Sequence, residues 1–213
     1  MTYSVKEIFY TVQGEGANAG RVAVFCRFTG CNLWSGREIH RTRAICQFCD
    51  TEFVGTDGEG GGKFQTAADV ASKVESIWNC GGGGTQQKFI VCTGGEPLLQ
   101  LDQPLISALH DLGFFIAVET NGTKVAPRGI DWLTVSPKAN TELLIKSGNE
   151  LKLVYPQDGA PPENYTDLDF SHFYLQPMAG SATEENTVSV IDYCKTHPQW
   201  RVGVQSHKVW GIA

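Results

Sequence analysis

Apolar residues recur first at alternate positions along this chain and later in short solid blocks, and that change of rhythm outlines the fold. Tyr3 to Val12 reads as a strand that runs into the turn-rich Gln13-Gly14-Glu15-Gly16. Arg21 to Thr29 is a second extended run, with Val22, Val24, Cys26 and Phe28 on one face. Residues 30–63 carry no sustained period and close with a glycine-rich tract at 58–62, which predicts a long loop. Thr66 then caps a helical pattern to about Asn79, with Ala67, Val70, Ala71, Val74, Ile77 and Trp78 at helical spacing, and glycines 81–84 stop it. Beyond it, strands are predicted at 88–93, 114–120, 132–136, 150–155, 172–176 and 201–206, with helices at 98–112 and 183–197. Short apolar strands separated by helices or long crossovers indicate a parallel sheet, hence an α/β fold. At 213 residues the chain is shorter than the roughly 250 typical of a closed eight-stranded barrel. The expected architecture is therefore a partial TIM-type barrel of about six parallel strands, spanning 1–213 as one domain without repeats or linkers.

Composition narrows the partners. Apolar (41%) and charged (19%) fractions are ordinary for a globular protein, and a net charge of −6 argues against a nucleic-acid or anionic-membrane surface. No apolar run approaches the ~20 residues of a membrane span, and Met1 to Glu7 lacks a signal peptide's apolar core. Seven cysteines without an export signal speak against a disulfide framework and for reduced cytoplasm. Cys26, Cys80, Cys92 and Cys194 fall inside strand- or helix-like patterns and are expected to be buried structural thiols.

The other three cysteines gather between 31 and 49, with fourteen residues between Cys31 and Cys46 and two between Cys46 and Cys49. A Cys-x-x-Cys pair joined by a third thiol from a strand end can hold a four-iron cluster and leave one iron open. Two other readings use the same sulfurs. His40 could complete a Cys3His zinc tetrahedron, or Cys46 and Cys49 alone could form a redox dithiol. Polar groups also end the strands: Thr93-Gly94-Gly95-Glu96, Glu119-Thr120-Asn121-Gly122, Ser136-Pro137-Lys138, Gln176-Pro177 and Gln205-Ser206-His207-Lys208. Any one is an ordinary turn or cap, but five in succession at the carboxyl ends of parallel strands describe a ligand rim. Gly94-Gly95 permits close backbone approach, the Glu96 and Glu119 carboxylates could receive an ammonium or a sugar hydroxyl, and Lys138 could meet a carboxylate. Those groups complement an amino acid joined to a nucleoside.

Phe25 to Thr51 and Thr93 to Pro97 together resemble the radical S-adenosylmethionine (SAM) enzymes, in which a three-cysteine loop holds a four-iron cluster and Gly-Gly-Glu follows a strand. The usual spacing would put the second cysteine where Ser35 stands; Cys46 lies eleven residues further on, while an aromatic residue, Phe48, still precedes the last cysteine. A narrower resemblance covers nearly the whole chain in order. Gln13-Gly14-Glu15-Gly16, Arg27, Gly30-Cys31-Asn32-Leu33, Cys49-Asp50-Thr51, Thr93 to Pro97, Glu119 to Gly122, Ser136 to Lys138 and Gln205 to Lys208 are similar to the 7-carboxy-7-deazaguanine synthases. Phe48 stands where many relatives have Trp, and Ser206 where many have Thr.

That resemblance implies conversion of 6-carboxy-5,6,7,8-tetrahydropterin to 7-carboxy-7-deazaguanine with loss of ammonia, on the way to queuosine and related 7-deazapurines. It implies a 4Fe-4S cluster on Cys31, Cys46 and Cys49, SAM as a regenerated cofactor, and Mg2+ with Thr51 as its protein ligand. SAM would be received by Thr93, Gly94, Gly95, Glu96, Glu119, Asn121, Ser136, Lys138 and Gln176, and the pterin by Gln13, Gly14, Glu15, Gly16, Arg27 and His207. A glycyl-radical activase would share the cluster loop and Gly-Gly-Glu, but would not call for the Gln13–Gly16 and Gln205–Lys208 segments. A homodimer is expected from the open edges of a partial barrel. Arg37, Arg41 and Arg43, clustered in an otherwise acidic protein, read either as a solvated loop or as a dock for an acidic flavodoxin-type electron donor. The terminal carboxylate, six residues past His207, is a further candidate neighbour of the substrate.

Overall fold

A computed structural model describes residues 2–212; the terminal carboxylate lies outside them. One nine-stranded sheet organises the molecule, in the order β3-β1-β2-β4-β5-β6-β7-β8-β9. β1 (Tyr3–Val12) and β2 (Val22–Phe28) form an antiparallel hairpin, and the short β3 (Gly62–Phe64) adds antiparallel to the outer side of β1. From β2 onward every pairing is parallel, through β4 (Lys88–Gly94), β5 (Phe114–Thr120), β6 (Trp132–Val135), β7 (Ser147–Tyr155), β8 (Asp169–Pro177) and β9 (Trp200–Val202). The sheet does not close, since β3 and β9 remain as edges. It nevertheless curls: the β1–β2 turn bonds to β7, which lies four strands beyond β2. This is the partial barrel expected from the sequence, built on seven parallel strands.

The helices cover the outer face. Thr66 and Asp69 form a capping box that starts α1 (Ala67–Cys80), whose Val70, Ala71, Val74 and Trp78 are buried. α2 (Gln103–Asp111) begins later than the apolar spacing suggests because Asp102 caps it, accepting from Leu105 N, with Pro104 in its first turn. These two helices pack on β1, β2, β4 and β5, in a core that includes Ile8, Phe28, Ile90, Leu105 and Ile116. α3 (Thr183–Thr196) closes a second core with Leu151, Leu153, Leu175, Val190 and Trp200. Along β7 the period is two: Leu151 and Leu153 join that core, while Lys152 and Val154 face the opposite, concave side.

Three expectations need correcting. The closing strand stops at Val202, and Ser206–Trp210 forms a short helix, α4, so His207 and Lys208 sit on a helix. The helix start is pinned where Ser206 N donates to Gly14 O at 2.9 Å, which pulls the chain out of the sheet. Residues 30–63 are irregular as expected but include a 3-10 segment at Glu38–Arg43 and the beginning of β3. Among the four cysteines expected to be buried, Cys26 and Cys92 are, Cys194 is only partly covered, and Cys80 is exposed at the end of α1.

Candidate active site

A cavity of about 380 Å³ occupies the concave side of the sheet, at the carboxyl ends of the parallel strands. Cys31, Cys46, Cys49 and Thr51 line it from the loop after β2; Thr93, Gly94 and Gly95 from β4 and its exit; Glu119 and Asn121 from β5 and its exit. Ser136 and Lys138 follow β6, Gln176 ends β8, His207 comes from α4, and Arg27 projects from β2. Gln13, Gly14 and Glu15 arrive differently: they belong to the antiparallel hairpin turn, which reaches across the concave side.

Two residues expected in the site lie outside its wall. Glu96 is completely buried, its carboxylate accepting from Thr120 Oγ1 (2.7 Å), Asn121 N (2.8 Å) and Leu98 N (3.0 Å). It ties the β4 exit to the β5 exit instead of offering its charge to a ligand. Burial raises its pKa, and those hydrogen bonds oppose the rise. Gly16 sits in a left-handed turn (φ 64°) against Glu150, which accepts from Ala17 N at 2.8 Å; a Cβ on Gly16 would stand 2.1 Å from a Glu150 carboxylate oxygen.

The other glycines act through close approach. A Cβ at Gly14 would fall 2.5 Å from His207 Nδ1, so the bare backbone is what admits His207. At Gly95 a Cβ would meet Gly30 O at 2.0 Å and Cys31 Cβ at 3.0 Å. Gly95 N donates to Phe28 O and Glu96 N to Gly30 O, at 3.2 and 2.9 Å. What Gly94-Gly95 draws close is thus the backbone that presents Cys31.

All seven cysteines are free of disulfides, and Cys31, Cys46 and Cys49 line one cavity. Burial pushes Cys31 and Cys46 up, and the Lys138 ammonium pulls Cys46 back. Among the described residues no three His, Cys, Asp or Glu side chains converge on one point as a single ion requires. His40 in particular is exposed and its Nδ1 pairs with Ser35 Oγ at 2.8 Å, so the Cys3His zinc tetrahedron is not assembled. Thiols that share a wall without converging suit a multi-iron cluster, whose ligands bind different irons. The surroundings fit too: Gly95 clears Cys31, and Gln176 Oε1 is a buried acceptor without a partner on the cavity wall. The loop is braced by Arg41, which donates to Gln47 O (2.8 Å) and Cys49 O (3.1 Å), pairs with Glu38 and stacks on Trp34 at 4.1 Å. Of the arginine cluster, only Arg37 and Arg43 therefore stand exposed and uncommitted to this bracing.

Around the remaining wall, Arg27 Nε donates to Glu7 Oε1 at 2.7 Å, leaving the outer fork of the guanidinium for a ligand. Lys138 Nζ donates to Ser136 O and Oγ at 2.6 and 2.7 Å and has no ion-pair partner among the described residues. Burial lowers its pKa. Asn121 Nδ2 donates to Asn32 Oδ1 at 3.1 Å, fastening the β5 exit to the cysteine loop. Glu15 accepts from Gln205 Nε2 at 2.9 Å and from Gln176 Nε2 at 3.4 Å, and forms a short ion pair with Lys152. Lys208 Nζ donates to Asp50 Oδ2 at 2.6 Å, joining α4 to the cysteine loop. Glu7, Lys152, Gln205 as a Glu15 partner, and the Asp50–Lys208 bridge were not singled out from the sequence. Lys152 left the clearest trace: a charge flanked by Leu151 and Leu153 in a buried strand must face something polar.

The crystal structure of QueE from Escherichia coli superposes with a TM-score of 0.69 at 26% sequence identity, covering 97% of this chain and 95% of that one. An open, mostly parallel sheet with three thiols after one strand and Gly-Gly-Glu after its neighbour defines the radical SAM class of enzyme. Over their full lengths the chain is 61% identical to a 7-carboxy-7-deazaguanine synthase of Caulobacter vibrioides and 52% identical to one of Nitratidesulfovibrio vulgaris, with 100% of each chain covered. The chain belongs to the 7-carboxy-7-deazaguanine synthase family. A Bacteroides thetaiotaomicron synthase is 36% identical, again with both chains fully covered, and no family model matches the chain.

Proposed function

We propose that the chain converts 6-carboxy-5,6,7,8-tetrahydropterin to 7-carboxy-7-deazaguanine and ammonia, as one domain with an expanded cluster loop at about 30–63. The observation that carries this is the meeting, in one cavity, of the three thiols with the Gln13–Glu15 hairpin turn and His207 of α4. The atoms of substrate and products balance with ammonia alone, so no net oxidant is consumed. When bound, the cluster and SAM supply one electron and a 5′-deoxyadenosyl radical; the protein supplies placement and exclusion of water.

Cys31, Cys46 and Cys49 hold the cluster, each giving up its thiol proton on ligation. The carbonyls at Gly94-Gly95 and Thr93 Oγ1 accept from the ammonium of SAM. Lys138, steadied by Ser136, meets its carboxylate, and Glu119 with Asn121 faces its ribose. Arg27 grips the pterin carboxylate with the fork that Glu7 leaves free. Gln13, Glu15 and His207 bound the ring, with Gln176 presenting its unpartnered oxygen beside Glu15. Thr51 offers one hydroxyl to Mg2+, which commonly keeps several waters and adds substrate oxygens.

Two open sheet edges support a homodimer, and exposed Arg37 and Arg43 support docking of an acidic flavodoxin-type donor. Unbonded cysteines suit the reducing cytoplasm, and among the described residues no helix is long and apolar enough to cross a membrane. Anaerobic incubation with SAM, dithionite, magnesium and the carboxytetrahydropterin is expected to yield the deazapurine; intact cluster with no deazapurine would refute the assignment. In the same assay Thr51→Ala should shift the magnesium requirement upward about tenfold or more, and an unchanged requirement would remove Thr51 as ligand.

A further inference from the structure

Four side chains and one backbone amide on the concave side close into a ring. Lys152 Nζ forms a short ion pair with Glu15 and lies 3.7 Å from Glu119 Oε1. Glu119 Oε1 accepts from Gln13 Nε2 at 3.1 Å, and Gln13 Oε1 in turn accepts from Glu15 N at 3.1 Å. Lys152 is only 8% exposed and is the one described cation within ion-pair reach of either carboxylate. Glu15 belongs to the pterin half of the cavity and Glu119 to the SAM half, so one ammonium spans both.

From this geometry we infer that Lys152 is a positioning residue for the reaction, fixing Glu15 and Glu119 as oriented acceptors for the two ligands. The inference rests on the functional reading above. Its electrostatics involve every charged group that faces the ring: Glu15 from the β1–β2 turn, Glu119 from β5, Glu150 from β7, Lys138 after β6 and His207 from α4. Burial favours the neutral forms of Glu15 and Lys152, but Lys152 holds Glu15 below its ordinary value, and Glu119, Glu15 and Glu150 together hold Lys152 above its own. Glu150, without a direct cation, is pushed up by the same burial. Removing the ammonium would leave three carboxylates together with no cation between them, and burial with their mutual repulsion would then raise the Glu15 pKa.

The test compares wild type, Lys152→Met and Lys152→Arg, reading deazapurine binding from pH 6 to 8 and, separately, thermal unfolding of the ligand-free protein across pH. Wild type sets the reference pH profile, including whatever His207 contributes, and each variant is read as its affinity relative to wild type at the same pH. Lys152→Met should bind about 30-fold or more weakly at pH 7, with affinity recovering as pH rises and Glu15 ionises, and Lys152→Arg should restore most of the loss. In the ligand-free protein, wild-type Glu15 has a depressed folded pKa and adds stability above its unfolded value. In Lys152→Met that pKa is raised, so the gap in melting temperature between the two proteins should widen from pH 4.5 toward pH 7. Melting that drops by a pH-independent amount, or a wild-type-to-Lys152→Met affinity ratio that stays constant with pH, would overturn the inference. Wild type that fails to bind the deazapurine would instead sink the functional reading, and the ligand-free melting would still decide the role of Lys152.

Discussion

Single atoms decide much of this site. Gly95 has no side chain, and the space a methyl would take is already filled by Gly30 O and the Cβ of Cys31. Gly95→Ala must therefore push the cysteine loop off the β4 exit. It should cost about 1–3 kcal/mol of stability and lower iron content after reconstitution, read by melting and iron analysis; a fully loaded variant would contradict the packing described here. Glu96 teaches the converse lesson. In the sequence it reads as a ligand-facing carboxylate, yet three protein donors consume it. Residue type and motif gave its importance, but which way a side chain faces depends on neighbours from a strand that lies more than twenty residues on.

At the scale of elements, most of the framework was legible because strands and helices leave periods that local sequence carries. The exceptions share a cause. The strand expected at 201–206 stops at Val202, because the contact that starts α4, Ser206 N to Gly14 O, joins opposite ends of the chain. β3 is too short to leave a period and exists by pairing with β1. α4 also bears on function: Lys208 reaches Asp50 beside Cys49, and His207 fits over Gly14. The Lys208–Asp50 pair is about half exposed, so Lys208→Met should leave stability within about 1 kcal/mol of wild type. Its effect should fall on substrate KM, raised a few-fold with kcat nearly kept, because the bridge holds α4 against the cysteine loop. A variant that loses stability and leaves KM untouched would show the bridge to be structural only.

For the molecule as a whole, the curl of an unclosed sheet is what brings the hairpin turn to β7 and places Gln13 and Glu15 in one cavity with the polar groups of the strand exits. Sequence order separates Glu15 from Lys152 and Gln205 by most of the chain, so their meeting could not be read from spacing. The cysteines could be read from spacing, but spacing alone left cluster and zinc both open; the pairing of His40 with Ser35, the unconverged thiols and the likeness to the synthases separate them. The most direct measurement is iron and acid-labile sulfide in protein purified and reconstituted without air. About four of each per chain, with a brown absorbance that dithionite bleaches, is the predicted result. Colourless protein carrying a single zinc and no sulfide would contradict it.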